Sequence, residues 1–216
     1  MPPVIAVITG DLVASSKADS TVVDDAMRAL SKAADSLSQL SEADTRFTRF
    51  RGDGWQISLD FPGLALRACL LMIAALRASG TGLDTRLSIG IGPFDSLGSR
   101  TLADASGEVF VLSGHALDQM PRSRRIGYGG GPRAHDPWLY GLLSLIDWHA
   151  ARWSREQAEA IVATLSHADM TQTELAAGLN ISRQALKARL DSSGLTAMKD
   201  ALYAFESKNW DTDPDD

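Results

Sequence analysis

The first part of the fold is decided by the stretch Arg49-Phe50-Arg51-Gly52-Asp53-Gly54-Trp55-Gln56. Apolar and polar residues alternate before and after it, which is typical of two neighbouring β-strands. An Asp-Gly pair between two such runs is a strong hairpin signal, and the glycines beside Asp53 can take the positive φ of a tight turn. We therefore predict a hairpin over residues 45–60, with the Asp53 carboxylate exposed at its tip.

A second carboxylate, Asp11, follows the apolar, β-branched run at residues 4–8. Such a run predicts a strand that is buried on both faces at the centre of a sheet. If this strand lies beside the hairpin, Asp11 and Asp53 meet at one end of the sheet. Two carboxylates suit Mg²⁺, which usually takes one or two of them together with substrate phosphates. Each Asp alone is also a common turn or cap residue, and that interpretation stays open.

The order of predicted elements indicates an α+β fold. A helix capped by Ser20 or Thr21 runs to about Leu40, the hairpin follows, and a second helix runs from near Pro62 to about Ala78. The next strand covers residues 85–92. This βαββαβ order is the ferredoxin-like arrangement. Beyond it we predict a short strand or turn at 109–112, a short helix at 114–121 and an edge strand at 125–128.

Composition narrows the class of protein. The chain has 216 residues, a formal net charge of −6 and one cysteine, Cys69. A single cysteine excludes a disulfide framework and a cysteine-based zinc site. The charge argues against non-specific nucleic-acid binding but leaves room for a local basic face. We see no signal peptide and no apolar run long enough to cross a membrane, so we expect a cytoplasmic protein.

Residues 4–128 resemble the class III nucleotidyl cyclases and the palm group, and more narrowly the SatD family. The motifs that carry the resemblance are Ile8-Thr9-Gly10-Asp11-Leu12-Val13-Ala14-Ser15-Ser16, Arg51-Gly52-Asp53-Gly54, Ser88-Ile89-Gly90-Ile91-Gly92 and Gly114-His115-Ala116-Leu117-Asp118. The resemblance implies a cyclase-like fold with two divalent ions, Mg²⁺ or Mn²⁺, on a nucleoside triphosphate. Such ions stabilise both the attacking and the leaving oxygen.

The resemblance also assigns roles to residues. Metal binding falls on Asp11 and Asp53, with the Leu12 carbonyl assisting. The residues implied in nucleotide binding are Gly10, Ser15, Ser16, Arg49 and Gly52, and those implied in catalysis are Asp118 and Arg122.

Three positions depart from the cyclase pattern. Arg49 stands where the cyclases read the purine base with Lys, Val111 replaces the acidic partner, and Asp118 replaces the Asn that orients the ribose. Arg and Lys are not interchangeable where geometry counts, and Val cannot accept a hydrogen bond. Arg122 matches the transition-state Arg, although a solvated charge at a helix end is an equal interpretation. These departures argue against cyclisation and leave nucleotide or metal binding as the expectation.

The second half of the chain is helical. Residues 138–149 predict a helix that is apolar on several faces and serves as a bridging or dimer helix. Ser154 with Gln157 and Thr171 with Glu174 fit the capping box. Residues 172–186 match a helix-turn-helix pattern, with a small Ala176 at the helix crossing and Asn180 at the turn.

The second helix of this motif, residues 182–190, carries no acidic residue. A recognition helix places its N-terminal residues on base edges in the major groove, and Gln and Arg can pair with adenine and guanine. The alternative is a helical bundle for protein contact, because residues 154–209 contain six Lys and Arg against seven Asp and Glu. The candidate DNA-binding residues are Ser182, Arg183, Gln184, Lys187 and Arg189.

Together these features predict three segments: a palm-like domain at 1–135, a bridging helix at 136–153 and a helix-turn-helix domain with an acidic tail at 154–216. We expect a homodimeric transcriptional regulator that binds DNA and whose first domain binds a nucleotide or a divalent metal. The alternative is a metal-dependent nucleotidyl cyclase or transferase whose helical part serves dimerisation.

Overall fold

The computed structural model describes residues 3–50, 52–130, 136–167 and 169–210. Its first elements are β1 (Val4–Val13), α1 (Ser20–Ser41), β2 (Arg46–Arg49), β3 (Gly54–Leu59), α2 (Ala65–Ala78) and β4 (Asp84–Pro93). They are followed by α3 (Glu108–Gln119) and β5 (Ile126–Tyr128). The predicted βαββαβ order is therefore confirmed.

The five strands form one sheet in the order β2-β3-β1-β4-β5. β1 is antiparallel to both β3 and β4, and β5 adds to β4 in parallel at the edge. Strand order 2-3-1-4 with β1 at the centre is the ferredoxin-like topology that the element order predicts. The central position explains why the start of β1 is continuously apolar, since both of its faces are covered.

One face of the sheet packs against α1 and α2. The 3–4 spacing of apolar residues in α1 buries one stripe, including Val23, Met27, Leu30 and Leu37. α2 is buried nearly all round, because the sheet lies on one side of it and the C-terminal helices on the other. Asp19 is the N-cap of α1, so the predicted caps Ser20 and Thr21 were each placed too late.

The other face of the sheet is covered by α3. The prediction of a strand or turn at 109–112 was wrong, and the helix predicted at 114–121 begins earlier, because Glu108–Gln119 form one helix. Gly90 makes this packing possible: a Cβ there would lie 2.8 Å from the backbone oxygen of Val109. The short apolar run in α3 looked strand-like because periodicity alone does not separate a buried strand from a short helix.

The C-terminal half consists of α4 (Pro137–Ala150), α5 (Arg155–Ser166), α6 (Gln172–Gly178), α7 (Arg183–Ser192) and α8 (Leu195–Glu206). Asp136 caps α4, and both predicted capping boxes are present. α5 packs on α2, and Arg67 of α2 pairs with Glu206 of α8 at 2.7 Å. The two halves therefore share a continuous apolar core. The three predicted segment boundaries stay a prediction.

Two further observations concern single features. Cys69 is fully buried in α2, and burial raises the pKa of its thiol. Among the described residues, the helices are all too short or too polar to span a lipid bilayer.

Candidate functional site

The end of β1 and the tip of the β2–β3 hairpin lie side by side. Asp11 pairs with Gly54 in the strand register, and the amide of Leu12 donates to the backbone oxygen of Asp53 at 3.1 Å. Gly52 has the positive φ of 82° that the turn requires, whereas Gly54 belongs to β3 and does not. Asp53 is half-buried, so its predicted exposure was only partly right. The fold thus brings both carboxylate-bearing segments to one end of the sheet.

The carboxylate of Asp11 is held by an arginine on the next strand. Arg86 lies directly across from Asp11 in the β1–β4 register, so both side chains leave the same face of the sheet. Its Nε and Nη2 donate to the two carboxylate oxygens at 3.2 and 2.7 Å. The hydrogen bonds that Arg86 donates to Asp11 raise the pKa of Arg86 against the opposing effect of burial, and the charges of Asp11 and Asp118 add to the increase. Arg86 is therefore the cation that pairs with the Asp11 carboxylate.

The carboxylate of Asp53 has a different neighbour. The hydroxyl of Ser15, in a short 3-10 turn after β1, donates to Asp53 Oδ2. The two residues lie in a surface cavity of about 380 Å³ at the N-terminal end of α1. The residues that line it are Ser15, Ser16, Ser20, Val23, Arg49, Gly52 and Asp53. Hydroxyls, a guanidinium and a helix N-terminus are groups that bind phosphate oxygens.

Arg49 forms one wall of this cavity. Its Nη1 donates to Asp24 of α1 at 2.7 Å, and its Nε and Nη2 approach the backbone oxygen of Gly52 at 3.3 Å. The side chain remains 40% exposed. The exposed ion pair with Asp24 contributes little to the stability of the fold. A more highly charged anion, such as a phosphate, can therefore displace Asp24 from Arg49 at a small cost in free energy.

Gly10 takes part in packing. A Cβ on Gly10 would lie 2.3 and 2.4 Å from two ring atoms of Trp55 and 2.9 Å from the backbone oxygen of Arg86. Trp55 is fully buried, and its indole nitrogen donates to Thr85 Oγ1 at 3.2 Å. Packing against Trp55 and the Arg86 backbone is therefore enough to explain the glycine at this position. Its implied contact with a nucleotide stays a prediction.

The three remaining positions from the cyclase pattern lie on or after α3. Val111 and Asp118 are exposed on this helix, and Arg122 is exposed in the turn that follows it. Only Asp118 is near the Asp11–Arg86 pair, through its charge on Arg86. The catalytic roles implied for Asp118 and Arg122 stay predictions.

The donor set fits a divalent cation only in part. The part of the chain that the structure describes has no group of three or more His, Cys, Asp or Glu side chains positioned for a metal. Asp11 is neutralised by Arg86, so Asp53 with the Ser15 hydroxyl is the more accessible oxygen donor. Two carboxylates suffice for Mg²⁺ only when phosphate oxygens and water complete the octahedron. A metal here would thus depend on a bound phosphate.

The helix-turn-helix is built as the sequence pattern predicts. Asn180 takes a left-handed conformation with φ 54°, and the Ile181 amide donates to the Ala176 oxygen at 3.0 Å. Ser182 caps α7 by accepting from the Ala185 amide at 3.1 Å. Leu186 is fully buried where α7 meets the bundle. The sharp turn therefore fixes the orientation of α7 relative to α6.

The candidate DNA-binding residues of α7 do not all face the solvent. Arg183, Gln184 and Lys187 are exposed, and Lys187 pairs with Asp191 one turn later. Arg189 turns back towards α5, where its Nη1 lies 3.6 Å from Glu159. Arg183, Gln184 and Lys187 are thus accessible to a partner, whereas Arg189 is tied to the bundle.

Sequence reasoning missed two contributors to these sites. Arg86 was overlooked because its partner is known only once the β1–β4 register is known, although a charged residue inside an apolar strand was a usable signal. Ser20 was interpreted as a cap, but it lines the cavity beside Asp53 instead.

Comparisons with known proteins assign neither a family nor a function to this chain. No protein-family model and no curated protein matches the chain. Among solved structures, the chain is similar to the crystal structure of the guanylyl cyclase Cya2, with a TM-score of 0.42 and 18% identity over 58% of this chain and 74% of that chain. The similarity is weak, so the fold assignment above rests on the strand order of this chain.

Proposed function

We propose that the protein is a DNA-binding transcriptional regulator whose palm-like domain binds a phosphate-bearing nucleotide. The observation that carries the first part is the exposed first turn of α7. Arg183 and Gln184 stand at the N-terminal end of a capped helix that follows a sharp turn. This is the part of a recognition helix that reaches base edges in the major groove.

The exposed side chains suit base contact and phosphate contact in different ways. Arg can pair bidentately with guanine and Gln with adenine, which gives sequence preference. Lys187 follows Arg183 by one helical turn and is free to exchange Asp191 for a DNA phosphate, because exposed ion pairs contribute little. Ala188, also exposed, leaves room for close approach of the helix.

The test is selection from a pool of random-sequence DNA duplexes with the full chain, followed by fluorescence anisotropy on the enriched duplex. We expect sequence-preferring binding that weakens as salt rises, because bound phosphates release counterions. The double variant Arg183→Ala/Lys187→Ala should weaken binding at least about tenfold, since each such contact is worth about 1–3 kcal/mol.

The matched control is Arg28→Ala/Lys32→Ala, which removes two exposed cations from α1 and should leave the affinity unchanged. Equal losses in the two double variants would mean non-specific attraction. No enrichment of any sequence would reject the DNA-binding proposal.

The second part of the proposal rests on the cavity at the N-terminal end of α1. Ser16 and Ser20 offer hydroxyl donors, and Arg49 offers a guanidinium that an exposed ion pair and the Gly52 carbonyl restrain. These groups would bind the phosphates of a nucleotide, and Asp53 would hold Mg²⁺ or Mn²⁺ against them. A cation bound in this way neutralises the negative charge between the carboxylate and the phosphates.

Calorimetric titration of ATP and GTP with Mg²⁺ or Mn²⁺ tests this part. Binding should be lost in Asp53→Asn and weakened in Ser15→Ala, while Asp35→Asn, on the exposed side of α1, should bind like the wild type. Binding that survives Asp53→Asn would place the nucleotide elsewhere.

The alternative function is a metal-dependent nucleotidyl cyclase or transferase, in which Asp11 and Asp53 hold the metal, Asp118 and Arg122 are catalytic and the helical part serves dimerisation. It is favoured by the juxtaposition of Asp11 and Asp53, but Arg86 neutralises Asp11. Release of pyrophosphate from a nucleoside triphosphate, abolished by Asp53→Ala, would favour this alternative over the regulator.

A further inference from the structure

The outer face of α4 carries an apolar stripe. Its members are Trp138, Gly141, Leu145 and Trp148, and the three large side chains are 87%, 67% and 54% exposed for Trp138, Leu145 and Trp148. The opposite face of the same helix is buried through Leu139, Leu143 and Ile146. Single exposed apolar residues need no explanation, but a contiguous stripe along one helix marks an interaction surface.

The stripe has the size of half a stable interface. A fully exposed aromatic side chain presents roughly 150–250 Å², so the stripe exposes on the order of 400 Å² of apolar surface in each protomer. Two such stripes would bury about 800 Å². Because an interface is about 60% apolar, the total would be roughly 1,300 Å². This lies in the range of about 1,200–2,000 Å² of specific protein–protein contacts.

We propose that the occupant of this surface is a second copy of the chain, packed antiparallel along α4 about a two-fold axis. The spacing from Trp138 to Gly141 to Leu145 to Trp148 is 3-4-3, which is the same read in either direction. Antiparallel pairing therefore places Trp138 opposite the partner's Trp148 and Gly141 opposite the partner's Leu145. This is the self-complementary contact that a two-fold axis requires.

The central pair provides the shape fit. A Cβ added at Gly141 would meet no atom within 4 Å, so the surface is open there. Leu145 of the other protomer fills this space as a knob fills a hole between helices of 3–4 spacing. The symmetry provides the fit twice, once on each side of the axis.

Charged side chains lie at both ends of the stripe. Asp136 lies at the N-terminal end of α4, and Arg152 lies beyond its C-terminal end, stacked 3.8 Å above the Trp148 ring. Antiparallel pairing brings each Arg152 close to the end of the partner helix that carries Asp136. The surface of α4 between these ends carries no exposed acidic residue. Because Asp136 also pairs with Lys208 at 3.6 Å, the choice of the antiparallel over the parallel arrangement rests on the symmetric spacing and on the fit of Leu145 against Gly141.

Sedimentation velocity of the full chain over a range of concentrations tests the proposal. Gly141→Leu places two leucines against each other and should weaken the dimer at least about tenfold. The double variant Gly141→Leu/Leu145→Gly exchanges knob and hole at constant composition and should restore the dimer to within about threefold of the wild type. A parallel pair would face Gly141 with the partner's Gly141, and the exchange would then have no reason to rescue the single variant.

Gly178→Leu is the matched control, since it adds the same side chain at another exposed helical glycine with open space around it. It should sediment like the wild type. A wild-type chain that stays monomeric at high concentration overturns the proposal, as does a Gly141→Leu variant that associates unchanged. Sedimentation of the protein with lipid vesicles in place of self-association would assign the stripe to a membrane surface and reject the dimer.

Discussion

Two regions of the molecule carry charged residues at candidate sites, and they differ in whether those charges are paired within the protein. At the end of the sheet, Arg86 of β4 gives two hydrogen bonds to Asp11 of β1. On α7, Arg183 is exposed and makes no ion pair within the part of the chain that the structure describes. Arg86 is therefore paired within the protein, whereas Arg183 remains available to a binding partner.

The difference shows which residues serve the fold and which can bind. Between β1 and β4, the strand register places Arg86 directly across from Asp11, and Trp55 fills the space beside Gly10. On α7, the buried Leu186 and the Ser182 cap hold the helix, while its outer residues contribute little to stability. Substitutions of Gly10 and Arg86 should therefore cost stability, and substitutions of Arg183 and Lys187 on the outer face of α7 should cost binding.

The largest effect is expected at Gly10. Gly10→Ala would drive a methyl group into the buried Trp55 ring, and we expect the free energy of unfolding to fall by about 3 kcal/mol through overpacking. Gly114→Ala is the matched control, because its Cβ would meet nothing within 4 Å in the interior of α3. That control should gain about 0.5–1 kcal/mol from helix propensity.

Urea denaturation followed by circular dichroism measures both free energies. If Gly10→Ala unfolds at the wild-type urea concentration, the packing account of this glycine fails. Its implied role in nucleotide binding would then become the better explanation for a glycine at this position.

A medium effect is expected for Arg86→Gln, which keeps a hydrogen-bonding side chain but removes the charge opposite Asp11. The pair is mostly shielded from water, with side-chain exposures of 23% and 32%, so its loss should cost about 1–2 kcal/mol. The freed Asp11 carboxylate should also raise the affinity for Mn²⁺ about tenfold, because a positive charge next to the site is removed.

Titration of Mn²⁺ by electron paramagnetic resonance checks the affinity, and Arg28→Gln, on an exposed ion pair of α1, is the control. An unchanged Mn²⁺ affinity in Arg86→Gln would show that Asp11 does not contribute to a metal site even when its partner is absent. The Asp11–Arg86 pair would then serve the fold alone.

More of the fold than of the candidate site could be predicted from the sequence. The hairpin, the central β1 and the two helices α1 and α2 were predictable, because each rests on a local period or a turn signal. α3 was mistaken for two elements, since its apolar run is short and its helical form depends on packing against Gly90. Tertiary contact, which a local pattern does not contain, decided that segment.

The residues of the candidate sites also differ in whether they could be predicted from the sequence. Asn180 and Ser182 were predictable because a turn and a cap depend on neighbours along the chain. The Asp11–Arg86 pair joins residues 75 positions apart and depends on the strand register. A shift of one residue in that register would send Arg86 to the other face of the sheet.

The smallest effect on stability is expected at Ser182, where cap and binding surface coincide. Ser182→Ala removes the acceptor for the Ala185 amide and should cost about 1 kcal/mol. Ser182→Asp keeps a cap acceptor and should retain wild-type stability, but it adds a negative charge beside Arg183 on the proposed DNA face. If α7 is a recognition helix, Ser182→Asp should therefore lose more DNA affinity than Ser182→Ala while unfolding at a higher urea concentration. The opposite ranking of affinity, measured by anisotropy on the selected duplex, would mean that α7 acts through its stability and not through the charge of its exposed face.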